Sequence, residues 1–149
     1  MFLKIILALA SAFALLWTFK TRKTLPAIIT LGMIAGFIVT LFQAQTLQFP
    51  GIHVYMGFVA LAFVYGFIVK EKELKARIII CLMSASVFTY WLWVLNHWHG
   101  NEMLAPILVL VAGATGIITK VNMRNELGFL VMLAADAIAI IIERVLEST

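Results

Sequence analysis

LPAIITLGMIAGFIVTLF, residues 25–42, runs for eighteen residues without a charged side chain. A helix of that length is about 27 Å long, close to the ~30 Å hydrocarbon thickness of a bilayer. Five further stretches read the same way: 2–19, 52–69, 77–95, 103–119 and 127–146. They are continuous apolar runs rather than amphipathic stripes, which is the pattern of helices surrounded by lipid and by one another.

The composition agrees. Of 149 residues, 64% are hydrophobic and 12% charged, against about 25% charged in a typical soluble domain. A chain this apolar cannot cover its own core with polar surface, so lipid must be its solvent. Connections of about 5–9 residues leave no room for a soluble domain. The expectation is an all-α integral membrane protein of the inner or plasma membrane, a six-span helical bundle in which residues 1–149 form one domain. The opening MFLKIILALASA shares features with a signal peptide, but its apolar run continues through FALLWTF. It is therefore read as the first span.

The net charge of +4 does not point to nucleic acid. Lys20, Arg22 and Lys23, then Lys70, Lys72, Lys75 and Arg77, then Lys120 and Arg124 fall in three alternate loops, nine of the eleven Lys and Arg residues. Only Lys4 and Arg144 lie towards the other face. Cytoplasmic loops are enriched in Lys and Arg, so these three loops are expected in the cytoplasm. Both termini and the loops around 43–51 and 96–102 are expected outside. Lys20, Lys70 and Lys120 are spaced fifty residues apart, which suggests three αα-hairpins, although bilayer thickness alone can fix such a period. The expected partners are the bilayer and, for so short a chain, further copies of itself or a second membrane subunit.

Local signals refine this outline. Thr24 with Pro26 is expected to start the second span, and Pro50-Gly51 to mark a turn before the third. Gly32 and Gly36, Gly113 and Gly116, and the alanines at 134, 135, 137 and 139 supply small faces on which helices approach closely in lipid. The single cysteine, Cys81, lies inside the fourth span and reads as inert packing.

Asp136 is the outlier. It lies in the middle of the sixth run, where a carboxylate costs about 2.5–3.5 kcal/mol to insert, so it should face protein or a water-filled cavity. Glu143 and Glu147 follow at seven and eleven residues and return to within about 20° of it on a helix. Together they form an acidic stripe leading to the outer end. Asp136 and Glu143 are the candidate intramembrane ion or proton site.

A second polar group occupies the outer rim: His53, His97, His99 and Glu102. His53, His97 and His99 are candidate metal ligands. A spacing of two is poor for ligands on one element, and helix-borne pairs normally sit four apart. A haem held by His53 and His97 is a further candidate, although no motif calls for any cofactor. The neighbouring Tyr90, Trp91, Trp93 and Trp98 read as an aromatic belt at the lipid–water boundary, where histidine also fits. No phosphate loop, nucleophile elbow or HExxH is present, so the residues give no sign of an enzyme. Three functions remain in view: passage of a proton, ion or small solute using Asp136; metal or haem binding, or an enzymatic site, at the rim; and a structural or assembly role in a larger membrane complex.

Overall fold

The computed structural model describes residues 2–42 and 48–149, with the backbone alone for Phe2, Gln48 and Phe49. The described residues form six helices: α1 (Phe2–Thr21), α2 (Thr24–Leu41), α3 (Gln48–Ile68), α4 (Leu74–Leu95), α5 (Leu104–Ile118) and α6 (Leu127–Ser148). Every expected span falls on one of them. Helices α1 to α4 are long and apolar enough to cross a membrane. Helix α5 is apolar but has only 15 residues. Helix α6 has 22 residues, but Asp136, Glu143, Arg144 and Glu147 interrupt its apolar run.

Of two expectations about helix ends, one holds and one needs correction. Thr24 starts α2 as expected, though not as its cap. It is the first helical residue, and Lys23 holds the cap position with no side-chain bond. Pro50-Gly51 is not a turn but part of the first turn of α3. Proline is tolerated there because the first-turn N–H groups have no partner within the helix. The rest of the expected 43–51 loop, residues 43–47, lies outside the described residues.

Consecutive helices pack side by side, and α1 closes the circle against α6. Helix α6 leans inward and also meets α2 and α4. Its buried residues therefore dominate the core: Phe129, Met132 and Leu133 are wholly enclosed, together with Met33, Val59 and Ile80 from its neighbours. The outer surface is hydrocarbon, with Leu9, Leu16 and Phe19 of α1, Phe67 of α3, and Ile117 and Ile118 of α5 all exposed.

The closest pairs are α2 with α3 and α1 with α6, whereas α1 and α2 touch far less. Packing thus gives no support to a division into three hairpins. The reason lies in the glycines. A Cβ on Gly36 would stand 2.6 Å from the Tyr55 backbone nitrogen, and one on Gly51 would stand 2.9 Å from that of Thr40. Gly32 likewise yields its space to the Phe58 ring. These absences let the α2 and α3 backbones meet, and in lipid such van der Waals contact is a principal source of helix association. Gly113 faces Met83 of α4, and Gly116 yields its space to Met123 of the α5–α6 connection, with Ile79 of α4 beyond it.

The ends of the bundle are tied by polar contacts. At one end, Lys72 donates to the Asn122 carbonyl at 3.1 Å, and the Trp17 indole donates to the Arg124 carbonyl at 2.6 Å. These bonds gather the three basic connections at a common end. At the other end, Arg144 forms an ion pair with Glu102, joining α6 to the α4–α5 connection.

Candidate functional site

Asp136 is wholly enclosed, at 0% exposure. Its neighbours on α6, Ala135 and Ala137, are also buried, so their small side chains leave room for other helices to reach the carboxylate. From α4 the Trp91 indole N–H donates to Asp136 Oδ2 at 2.9 Å. From α3 the Tyr55 hydroxyl points to the same oxygen at 3.3 Å. The second oxygen, Oδ1, has no hydrogen-bond partner among the described residues.

The carboxylate stands in the wall of a cavity of about 80 Å³, lined also by Lys4, Leu7, Phe37, Ile52, Tyr55 and Trp91. A larger cavity of about 260 Å³ lies beside it, towards the end that carries the histidines. Tyr90, Glu143, Arg144 and Glu147 line that second space. Leu3 and Trp91 belong to the walls of both cavities. The acidic stripe read on α6 is thus divided: Glu143 and Glu147 border the outer cavity, Asp136 the inner one, and the Trp91 ring stands where they adjoin.

The rim residues have separate roles. His53, His97 and His99 are all exposed, and no group of three His, Cys, Asp or Glu among the described residues is placed to hold a metal ion. The candidate set of His53, His97 and His99 is therefore not assembled in this geometry. The cause is local for His97, which has a φ of 51°. Its N–H bonds the Val94 carbonyl, and the next N–H, of Trp98, bonds the Trp93 carbonyl. This is the Schellman arrangement that closes a helix C-terminus. His97 turns the chain at the end of α4. Glu102, grouped with the histidines in the sequence, instead pairs with Arg144. Among the aromatic belt residues, the Trp93 indole donates to the Trp98 carbonyl at 2.7 Å, fixing the same turn.

A second enclosed carboxylate was not visible in the sequence. Glu126, just before α6, has 0% exposure. The Tyr65 hydroxyl donates to its Oε1 at 2.8 Å, and the Lys72 ammonium stands 3.3 Å from Oε2. Lys72, counted with the basic loops, is thus partly a counter-ion. Of the other loop residues, Lys20, Arg22, Lys23, Lys70, Lys75, Lys120 and Arg124 are exposed and Arg77 is half-buried. Tyr55 and Tyr65 are ten residues apart on α3, as are Glu126, at the cap position of α6, and Asp136 within it. Because the two helices run in opposite directions, the tyrosines meet the carboxylates at two levels about 15 Å apart. The equal offset on two helices was the one signal the sequence held. Comparison with known protein families, curated proteins and solved structures finds no match to this chain.

Proposed function

We propose that the six helices cross a bilayer with the three basic loops in the cytoplasm, and that the bundle passes a proton, ion or small solute, with Asp136 as the intramembrane group that carries or binds it. One observation carries this reading: an enclosed carboxylate, on the helix that leans into the bundle, borders a cavity that adjoins a second one lined by Glu143 and Glu147. Ionisable groups inside membranes are expensive and mark ion or proton pathways by default. The Trp91 and Tyr55 donors require an acceptor at this position, but a neutral amide would serve them without the cost of inserting an ionisable group.

The enclosed volume is small for one chain, so a second copy or a partner subunit is part of the proposal. The test is Asp136→Asn. An amide keeps the shape and can still accept from Trp91 and Tyr55, but it neither titrates nor carries charge. The variant should fold like the parent yet lose flux in liposomes, while Asp136→Glu retains part of it. Full flux in the Asn variant would remove Asp136 from the mechanism and favour a structural role in a larger complex.

A further inference from the structure

We propose that the groove between α4 and α5 seats one anionic phospholipid from the leaflet at the basic end, with an acyl chain along the groove and the head group on Lys75. The site rests on the membrane placement proposed above and is independent of translocation. The groove has a volume of about 370 Å³. Its floor is Ile79 of α4 and Ala112 of α5, both buried. Its rims are the exposed side chains of Ile78 and Leu82 on one helix and of Leu108 and Val111 on the other. Ala112, with a single methyl, leaves a depression that a longer side chain would fill.

Length and charge identify the occupant. From Leu108 to Thr119 the groove follows about 16 Å of helix axis, half of the ~30 Å hydrocarbon thickness and so the depth of one leaflet. A partner helix crossing both leaflets would call for a seat about twice as long. Lys75 and Thr119 stand at one end of the groove. Lys75 is exposed, and its ammonium has no hydrogen-bond or ion-pair partner among the described residues. Its neighbours are already engaged, Lys72 with Glu126 and Arg77 with the Gly66 and Phe67 carbonyls. A lysine stem lies along hydrocarbon while its head stays at the interface, where it attracts anionic lipid. An unpaired cation at the mouth of an apolar, leaflet-deep groove matches a molecule that joins an anion to a hydrocarbon chain. The Thr119 hydroxyl donates to the Thr115 carbonyl at 2.7 Å and keeps its lone pairs for a donor. Phosphatidylglycerol carries such a donor, a head-group hydroxyl beside its phosphate.

The experiment is native mass spectrometry of the purified full chain in detergent, titrated separately with phosphatidylglycerol and phosphatidylcholine of identical palmitoyl-oleoyl chains. The parent should take up one phosphatidylglycerol with about a fivefold preference, the worth of one lysine beside anionic lipid. Lys75→Gln should bring the preference to near parity. Lys23→Gln, at the same end but on the wall of a different cavity, should leave it unchanged. Ala112→Phe, which fills the floor, should abolish tight uptake of both lipids; Lys75→Gln, on an exposed side chain, guards against a folding defect in that variant. Equal uptake of the two lipids by the parent, or equal losses in Lys75→Gln and Lys23→Gln, overturns the site. Displacement of phosphatidylglycerol by inorganic phosphate also overturns it, because the head group alone would then suffice. A parent dimer that Ala112→Phe abolishes gives the groove to a second copy and overturns it too. Carbonate-resistant association with liposomes separates the two readings. A chain that carbonate strips from them sinks the membrane placement and this site with it, whereas one that stays but shows no lipid preference sinks this inference alone.

Discussion

Replacing each tyrosine of the two carboxylate contacts by phenylalanine removes one oxygen and little else, and the structure makes the two losses unequal. Tyr65 donates to Glu126 at 2.8 Å, inside the usual range for O–H···O bonds. The other oxygen of Glu126 faces Lys72, so the phenol is the donor that serves Oε1. Hydrogen bonds to charged groups contribute about 1.5–3 kcal/mol, whereas interhelical bonds in a membrane protein average about 0.6 and reach about 1.7. Tyr65→Phe should therefore cost about 1.5–1.7 kcal/mol, the overlap of the two ranges. Tyr55 reaches Asp136 at 3.3 Å, beyond the usual O–H···O range, and the Trp91 N–H remains on the same oxygen. Tyr55→Phe should cost only about 0.5 kcal/mol, near the membrane average. The assay is reversible unfolding in mixed detergent and denaturant, followed by tryptophan fluorescence. Adding Glu126→Gln to Tyr65→Phe completes a double-mutant cycle, whose coupling should be about 1 kcal/mol, within the range for residues that share a hydrogen bond. A Tyr55→Phe penalty equal to or larger than that of Tyr65→Phe would refute the reasoning.

Other perturbations have equally definite outcomes. Gly36→Ala should destabilise by about 1–3 kcal/mol through overpacking, because the new methyl meets the Tyr55 backbone. Gly57→Ala, where nothing stands within 4 Å, should stabilise by up to about 1 kcal/mol through helix propensity; the same unfolding assay reads both. His97→Gly should stabilise by about 1 kcal/mol, the order of the cost of a left-handed conformation for a residue with a Cβ, and His97→Val should destabilise. Chelator treatment should leave the melting temperature unchanged, since the histidines are not gathered at one point. A stoichiometric metal in elemental analysis of untreated protein would revive the rim site. Reporter fusions after Arg22, Arg77 and Arg124 should read cytoplasmic and one after Gly100 external; a cytoplasmic reading at residue 100 reverses the proposed orientation.

The helices were legible because bilayer-length apolar runs are a one-dimensional signal. Residues 25–42 announce α2 almost to the residue. Asp136 was legible for the same reason, as the one acid in the middle of such a run. Its partners were not. Tyr55 is one of many apolar or aromatic residues on α3, and Trp91 was assigned to the interfacial belt because indoles gather there. Which side of a uniformly greasy helix faces inward is not written in its periodicity. Glu126 was missed because a glutamate beside Arg124 and Asn125 reads as a wetted loop. Its burial comes from Tyr65 and Lys72, 61 and 54 positions away. The histidines misled in the opposite sense: their spacing invited a ligand reading, while His97 shapes the backbone.

Were the six helices to cross a bilayer as proposed, helix α5 would have a consequence for the surrounding lipid. Its 15 residues extend about 22 Å, roughly 8 Å less than the hydrocarbon thickness of an ordinary bilayer. Tilting lets a long helix fit a thin membrane but only worsens the fit of a short one. In that placement acyl chains beside Leu104 and Ile118 would compress, or Lys120 would reach outward to meet the head groups, each at a fraction of a kcal/mol per Å. So placed, the bundle would be surrounded by an uneven annulus, thinner along one side. That asymmetry favours residence in thinner membranes, and it rewards any neighbour that covers α5 and lets the lipid relax to its natural depth.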